Sequence, residues 1–256
     1  MGMEESHTKV SGGATVGGVA LNKIVEGDCL ELMSELAPMS IDAVITDPPF
    51  FMPASHYQSR VAWRRDWADT SILKTWWTEV TKPMRRVIKE DGYVLVFCNA
   101  ESMAVFLPIM FEQWQRVFSL VWDKTRVGLG RLWRHQHELI LVACDNAAYM
   151  PDDKNLRSDV LSFPATLSRD RKHPVQKPVE LMVALVEACT PIDGIVLDPF
   201  AGSGTTCRGA KIAGRNYIGF ELNAEYANAA RELVDSPIQA TYLIKEEQDD
   251  ERAGID

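Results

Sequence analysis

Residues Ile195–Thr206 read IVLDPFAGSGTT, a short apolar run followed by a turn with two glycines and the start of a helical pattern. The apolar run Ile195–Leu197 is typical of a strand, and Thr205–Ala213 has the pattern of a helix. Gly202 and Gly204 let the backbone bend tightly and let a ligand approach it closely. A strand that passes through such a turn into a helix is the unit of doubly wound parallel sheets. The stretch therefore predicts a ligand-binding turn at the end of a parallel strand.

An acidic residue follows the next apolar run. Glu221 ends the run Asn216–Phe220 and stands 19 residues after Gly202. A carboxylate at the end of that strand can accept hydrogen bonds from ribose hydroxyls. The turn lacks the lysine of a nucleoside-triphosphate loop and departs from the full G-x-G-x-x-G pattern. It therefore favours an adenosine-containing ligand without a pyrophosphate, and a tight turn beside a solvent-facing glutamate is the alternative that this motif leaves open.

Apolar runs alternate with helical patterns along most of the chain, which predicts an α/β fold with a mostly parallel sheet and helices on both faces. The late pair Val117–Trp122 and Glu138–Cys144 predicts an antiparallel hairpin at one edge. Trp76 and Trp77, within one predicted helix, are expected in the core. The other predicted strands are Lys23–Glu26, Ile41–Thr46 and Tyr93–Cys98, and the other predicted helices are Cys29–Leu36, Ser71–Lys89 (closed by a turn at Asp91-Gly92), Ala100–Trp114, Pro178–Ala188 and Ala224–Val234.

A second unusual turn, Asp47-Pro48-Pro49-Phe50, ends the run Ile41–Thr46. Its two prolines stiffen the backbone and remove two N–H donors. The carbonyls of Asp47 and Pro48 and the nearby carboxylate therefore form a site of hydrogen-bond acceptors. An exocyclic amino group, with two hydrogens to donate, fits such a site, and Phe50 offers a flat face on which a base can stack. A rigid loop with a capping aspartate is the alternative for this turn alone.

Together the two turns resemble those of the DNA amino-methyltransferases that use S-adenosylmethionine, in the arrangement in which the catalytic motif precedes the cofactor motif. Asp47–Phe50 resembles the catalytic motif and Asp198–Thr205 the cofactor motif, while His173–Pro178 (HPVQKP) resembles the motif that comes just before the latter. Further matching segments are Gly27-Asp28 with Leu30, Trp122–Lys124, Gly128, Gly130 and His137-Glu138. The resemblance spans residues 22 to about 234 and implies a Rossmann-like methyltransferase fold.

The resemblance implies S-adenosylmethionine as the cofactor, with Glu221 on its ribose and Asp28 near its adenine. Lys177 and Pro178 begin a helix whose positive end can face the methionine carboxylate; a surface loop is the alternative for Lys177 and for His173. The residues assigned to the glycine turn and the methionine side are Asp198, Phe200, Ala201, Gly202, Ser203, Gly204 and Thr205.

The chemistry implied by the resemblance is a direct methyl transfer to an exocyclic amino nitrogen, with Asp47, Pro48, Pro49 and Phe50 as the catalytic turn. Because the target amino group lies within a base pair, the base has to be flipped out or arrive single-stranded. In the family, Asp at the first position of the catalytic motif favours N6 of adenine, and N4 of cytosine stays the alternative. No metal is implied, since His-x-His with a distant cysteine is a poor zinc ligand set.

Basic residues outside the two turns are candidates for DNA contacts. Segment 51–67 mixes basic and aromatic residues and predicts a loop that closes over a flipped base; a solvated loop is the alternative. Between Cys144 and His173, where this family carries its target-recognition region, lie only 28 residues. This short insert predicts a relaxed recognition sequence, or a homodimer whose second subunit helps to read the site. The candidates are Arg60, Arg64, Arg65, Arg126, Arg131, Arg134, Arg169, Arg171 and Lys172.

Composition excludes several other classes of protein. The net charge of −9 and the 46% hydrophobic content argue against wholesale disorder and against a non-specific nucleic-acid coat protein. No apolar run approaches the ~20 residues of a membrane helix. The acidic N-terminus lacks the apolar core of a signal peptide, and five cysteines without a C-x-x-C pair indicate reduced thiols in a cytoplasm.

The predicted organisation is a flexible N-terminus at residues 1–20, which includes the lead-in Ser11–Gly18, a methyltransferase domain at 21–240 with the insert at about 145–172, and an acidic tail at 241–256. Two functions from other classes stay open at this point. One is methylation of RNA or protein, and the other is a DNA-binding subunit without catalytic activity.

Overall fold

Eight strands form one central sheet in a computed structural model that describes residues 14–49, 69–128, 133–153, 158–166 and 176–238. The strands are β1 (Thr15–Val16), β2 (Val19–Ala20), β3 (Lys23–Glu26), β4 (Ile41–Thr46), β5 (Ile88–Cys98), β6 (Arg116–Asp123), β7 (His137–Cys144), β8 (Val160–Ser162), β9 (Ile195–Asp198) and β10 (Asn216–Glu221). The helices are α1 (Cys29–Glu35), α2 (Thr70–Val87), α3 (Ala100–Phe111), α4 (Val179–Cys189), α5 (Thr205–Ile212) and α6 (Ala224–Asp235).

The order of the strands places the two unusual turns side by side. The central sheet runs β3-β10-β9-β4-β5-β7-β6-β8, and its first five strands are parallel. From β4 the chain continues to β5 on one side, whereas from β9 it continues to β10 on the other. Ligands of α/β sheets bind at such a reversal, outside the carboxyl ends of the strands. The turn after β4 and the turn after β9 both lie there.

Helices cover the sheet on both faces, as the alternation of patterns predicts. Helices α1, α2 and α3 contribute buried residues such as Met33, Trp77 and Phe106 to one core cluster. Helices α4, α5 and α6 contribute residues such as Leu181 and Ala227 to the other. Strand β4 is buried along its whole length, which explains why its apolar residues do not alternate with exposed polar ones. The predicted mostly parallel α/β fold is therefore confirmed.

Strand β5 differs from its prediction, because it begins at Ile88 and runs through Asp91 and Gly92 instead of following a turn there. Ile41 of β4 pairs with Ile88, and the register then shifts before Ala43 pairs with Tyr93. This irregular pairing accommodates Asp91 and Gly92 within the strand, although the two residues resemble a turn in the sequence. A Cβ at Gly92 would lie 2.7 Å from the backbone oxygen of Asp42, so the glycine reflects a close approach between two strands.

Two other regions also contain structure that the sequence did not predict. Part of the expected flexible lead-in forms the hairpin β1–β2, whose Val16 and Val19 are buried against the first core cluster. Within the predicted insert, β8 pairs in parallel with β6. The antiparallel pair β6–β7 therefore lies one strand inside the edge, and β8 is the outermost strand.

Replacing Gly92 by alanine is expected to lower the free energy of unfolding by about 1–3 kcal/mol, because the added methyl group has to displace strand backbone. Urea unfolding followed by circular dichroism measures the change. Gly18→Ala is the matched control, since among the described residues a Cβ there would meet only the Glu35 side chain, at 3.5 Å. Equal stability of the two variants would contradict the close strand contact.

Candidate active site

A buried hydrogen bond joins the two turns. The hydroxyl of Thr46, the last residue of β4, donates to Oδ1 of Asp198, the last residue of β9, over 2.7 Å. The backbone N–H of Phe200 also donates to this oxygen, over 3.1 Å. Both strand ends are buried. The structure thus brings the predicted catalytic turn and the predicted cofactor turn together, although they lie far apart in the sequence.

Asp47 directly follows this bond and carries an unsatisfied acceptor. Its Oδ2 accepts a hydrogen bond from Nζ of Lys177 over 2.6 Å. Its Oδ1 is buried, and no residue that the structure describes donates to it. Leaving a buried acceptor without a donor costs about 1–3 kcal/mol. The next two residues are prolines without an N–H, and Pro48 is buried, so the turn itself offers Oδ1 no backbone donor from these two positions.

Four charged side chains form a chain of ion pairs that ends at this carboxylate. Lys177 pairs with Asp47 and also with Oε2 of Glu138, over 3.1 Å. The other oxygen of Glu138 pairs with Lys124 over 2.6 Å. Lys177 is only 7% exposed, and its Nζ lies 4.9 Å from the centroid of the Phe97 ring. With two ammonium groups and two carboxylates, the cluster is electrically neutral.

Burial and neighbouring charges act on these groups in opposite directions. Burial raises the pKa of Asp47, and the ammonium of Lys177 only partly opposes the rise. Burial alone would lower the pKa of Lys177, but the two carboxylates outweigh it and raise that pKa above its ordinary value. Burial would also raise the pKa of Glu138, but Lys177 and Lys124 outweigh it and lower that pKa. The surroundings therefore shift the pKa values of the two carboxyl groups in opposite directions, with that of Asp47 raised and that of Glu138 lowered.

The glycine turn has the conformation expected of a ligand-binding turn. Gly202 and Gly204 adopt φ angles of +50° and +79°. A Cβ at Gly204 would lie 2.9 Å from the Cβ of Ala230, so this glycine is required for packing on α6. Helix α5 then begins at Thr205 without a side-chain cap. Gly204, the N-cap residue, has no side chain with which to accept from the first N–H groups of α5, and N–H groups at a helix start can bind a ligand.

Glu221 lies against this turn, as the spacing predicts. Its Oε2 accepts a hydrogen bond from the N–H of Gly202 and its Oε1 one from the N–H of Asn223, each over 2.9 Å. Each carboxylate oxygen can accept a further hydrogen bond. A Cβ at Gly202 would meet only the Phe200 oxygen, at 3.7 Å, among the described residues. The open space beside the turn and the oriented carboxylate fit a ribose-containing cofactor.

Three residues of the predicted cofactor group make contacts that the sequence did not indicate. Asp28 caps helix α1 by accepting the N–H of Leu30 over 2.7 Å. The neighbouring Gly27 donates to the backbone oxygen of Glu221, so Asp28 does lie near Glu221. Lys177 precedes α4 as predicted, but its ammonium contacts the carboxylate of Asp47. The ring of Phe200 packs against Trp76 at 5.5 Å.

Trp76 and Trp77 therefore have different surroundings. Trp77 is buried and stacks on Phe106, as expected of a core residue. Trp76 is only partly buried: it packs against the first core cluster and also contacts Phe200 of the glycine turn, so it lies at the margin of the core. On a helix, adjacent residues point in directions about 100° apart, and this separation explains the difference.

The described part of the predicted DNA-binding set lies on the connection between β6 and β7. Arg126 and Arg134 are exposed there, and Nε of Arg134 donates to the Gly128 oxygen. Trp133, which the sequence analysis did not select, is 92% exposed beside them. The sequence signal for a nucleic-acid contact here is an aromatic residue between two arginines, in RLWR at residues 131–134. Outside the described residues lie Phe50, Arg60, Arg64, Arg65, Arg131, Arg169, Arg171 and Lys172.

The roles of Lys124 and Glu138 were also missed. Both lie in segments, Trp122–Lys124 and His137-Glu138, whose sequences resemble the family without indicating a role for either residue. Their position in the sequence could have indicated a role, because each is a charged residue at one end of an apolar strand. Both of these strand ends lie at the edge of the sheet where the parallel strands end. No cluster of three or more His, Cys, Asp or Glu side chains suited to a metal occurs in the described parts of the chain. In those same parts, no helix is both long and apolar enough to cross a membrane.

A parallel sheet with an acceptor turn and a glycine turn on adjacent strands defines a Rossmann-like methyltransferase. The family model described as DNA methylase, which covers N6 and N4 amino-methyltransferases, matches residues 41–232. The chain belongs to this family, whose cofactor is S-adenosylmethionine.

Relatives and solved structures agree with this assignment. The chain is 31% identical to YubD of Escherichia coli (strain K12) over 213 residues, which are 83% of this chain and 89% of YubD. It is 26% identical to the DNA adenine methyltransferase YhdJ of the same strain in an alignment of 250 positions that covers 83% of this chain and 82% of YhdJ.

Among solved structures, the complex of M1.HpyAVI with S-adenosylmethionine has a TM-score of 0.62 and 23% identity, covering 84% of this chain and 99% of that one. The cytosine-N4-specific PvuII DNA methyltransferase has a TM-score of 0.65 and 19% identity, covering 87% and 89%. At these identities the two structures support the fold alone.

Ionisation of Asp198 is expected to reduce the stability of the protein. Burial raises the pKa of Asp198 to about 6, although hydrogen bonds from Thr46 and other donors oppose the rise. Because the folded pKa exceeds the ordinary value of 3.8, this group's contribution to stability is largest at low pH and falls as the pH rises from about 4 to 6. Asp198→Asn is then more stable than the parent at pH 7.5, by roughly 2–3 kcal/mol, and nearly equal to it at pH 4.

Urea unfolding at both pH values measures this difference, and Asp193→Asn at an exposed position controls for the amide substitution. A stability difference between Asp198→Asn and the parent that is the same at both pH values would contradict the prediction.

Proposed function

We propose that this protein methylates N6 of adenine in DNA, using a base that is flipped out of the helix. The observation that carries the proposal is the buried, unpaired Oδ1 of Asp47 beside the cofactor turn. Two further points support adenine: the aspartate at the first position of the catalytic motif, and the similarity to YhdJ over 83% of this chain. N4 of cytosine is the second candidate, because the PvuII enzyme shares the fold.

The catalytic turn acts by holding the amino group. The lone pair of an amino group on a base is delocalised into the ring, which makes the nitrogen a weak nucleophile. Two acceptors, Oδ1 of Asp47 and the carbonyl of Pro48, bind the two amino hydrogens and favour a more tetrahedral nitrogen. Such positioning by fixed acceptors supplies most of the rate acceleration. S-adenosylmethionine, when bound, supplies the electrophilic methyl group.

The cofactor is held by the elements around the glycine turn. The open N–H groups at the start of α5 and the backbone of Gly202 accommodate its methionine part. The carboxylate of Glu221, oriented by two backbone N–H groups, accepts the ribose hydroxyls. Asp28 and Trp76 flank this region, on the Glu221 side and the Phe200 side respectively.

Asp47→Ala is expected to reduce single-turnover methylation of DNA by about 10²-fold or more, because the only open side-chain acceptor of the turn is lost. The dissociation constant for S-adenosylmethionine, measured by calorimetry, is expected to change by less than about threefold, because Asp47 serves the amino group and not the cofactor. Asp193→Asn serves as the control for an unrelated aspartate.

Single-molecule sequencing of DNA from cells that express the parent and Asp47→Ala identifies the base. N6-methyladenine with the parent only supports the proposal. N4-methylcytosine would retain the mechanism and overturn the base. No modified base, together with intact cofactor binding, would favour an RNA or protein substrate, or a DNA-binding subunit without catalytic activity.

The connection between β6 and β7 is proposed as a DNA-contacting surface. It leaves the sheet at the same edge as the catalytic turn, since β6 runs parallel to β5 and ends at Asp123. Arg126 and Arg134 supply positive charge and Trp133 supplies an exposed ring. The predicted basic residues outside the described parts of the chain stay candidates for DNA contacts.

Trp133→Ala is expected to weaken binding to a short DNA duplex by about 5-fold or more, because a base–aromatic contact contributes roughly 1–3 kcal/mol. Arg126→Ala is expected to lower the slope of log K against log salt by about one. Fluorescence anisotropy measures both. Phe111→Ala, at an exposed ring at the far end of α3, is the control, and equal affinities for it and Trp133→Ala would refute this surface.

A further inference from the structure

Glu138 reaches the catalytic turn from a strand that neither the acceptor turn nor the cofactor turn belongs to. It is the second residue of β7, and its carboxylate lies between Lys177 and Lys124. We propose that Glu138 is a positioning residue: by holding Lys177 it fixes Oδ2 of Asp47 and leaves Oδ1 directed at the target amino group. This inference rests on the proposed function of the same site.

The geometry around Lys177 is strongly constrained. Its backbone precedes α4, and its ammonium binds one carboxylate from the end of β4 and another from the start of β7. The ring of Phe97, from β5, lies 4.9 Å from the ammonium. Three strands thus fix one nitrogen atom, and that nitrogen binds one of the two oxygens of Asp47. An ammonium held only by Asp47 could rotate and bind either oxygen.

A satisfied ion-pair network around one unsatisfied atom is not explained by stability alone. Replacing buried ion pairs by apolar side chains is often neutral or stabilising, and an unpaired buried acceptor is a cost. The two ammonium groups of the network donate to Oδ2 of Asp47 and to Glu138. No residue that the structure describes donates to Oδ1 of Asp47. This arrangement suits a site whose missing donor is the substrate.

Among the described residues, the charged and titratable groups that face Asp47 come from five elements. They are Lys177 before α4, Glu138 on β7, Lys124 after β6, Asp198 on β9 and the Cys98 thiol on β5. Removing the charge of Glu138 leaves an excess positive charge beside Asp47, whereas removing that of Lys124 leaves an excess negative charge. Glu138 raises the pKa of Asp47 and Lys124 lowers it. The two substitutions therefore change the pKa of Asp47 in opposite directions.

The test compares Glu138→Gln, Lys124→Gln and the double variant by single-turnover methylation of DNA as a function of pH. Glutamine keeps much of the shape of each side chain. With Glu138→Gln, the acidic limb of the rate profile is expected to move down by about half a pH unit or more, and the plateau rate to fall about 10-fold because the carboxylate is less well fixed. With Lys124→Gln the limb moves up, and in the double variant it returns towards the parent.

The affinities for S-adenosylmethionine and DNA are expected to stay within about twofold of the parent, since Glu138 is proposed to act on the chemical step alone. A rate loss of the same factor at every pH, or shifts of both single variants in one direction, would assign Glu138 a merely structural role. If Glu138→Gln fails to fold, as judged by its thermal transition, Glu138→Asp carries the test, because it keeps the charge but shortens the side chain: the plateau rate is expected to fall with little shift of the acidic limb, and an unchanged plateau would overturn the positioning role.

Failure of this inference differs from failure of the proposed function. If the parent methylates DNA, Asp47→Ala does not, and Glu138→Gln matches the parent at all pH values, only the positioning role is wrong. If the parent and Asp47→Ala are equally inactive on DNA while both bind S-adenosylmethionine, the proposed function itself is wrong.

Discussion

The hydrogen bond from Thr46 to Asp198 joins the two halves of the site, and the other features of the active site depend on it. It lies at the point where the sheet reverses its strand order, between two strands that are buried on both faces. Because the bond fixes the ends of β4 and β9 relative to each other, the acceptor turn and the glycine turn can act on one substrate pair. This arrangement lowers stability at neutral pH, because the Asp198 carboxylate is then ionised in the interior, where burial raises its pKa to about 6.

Charge balance is the second constraint at the site. The proposed reaction requires an ionised Asp47 with one oxygen that has no donor. A buried carboxylate without a partner would be protonated or would destabilise the fold. The chain of Lys177, Glu138 and Lys124 makes the group neutral as a whole. The same network orients the Asp47 carboxylate. One set of contacts therefore favours its ionised form and fixes its orientation.

The sequence predicted those features that depend on local pattern. Apolar runs located the main strands, and the order of the motifs placed Asp47 and Asp198 at neighbouring strand ends. Contacts between distant segments were not predictable in the same way. Lys177 was expected near the cofactor, but only the fold reveals that β7 brings Glu138 to it. The extension of β5 through Gly92 depends on an irregular register with β4, which no local pattern encodes. Strand β8 has three residues and pairs only at an edge, so it gives no periodic signal.

Strand β8 also affects how this fold can change during evolution. It is joined to the sheet through β6, and three strands separate it from β4. The segment that carries β8 can therefore be lengthened, shortened or replaced while the strand ends that hold the reacting groups keep their register. A protein built in this way can acquire a new target sequence by altering its outer edge, without rebuilding its chemistry.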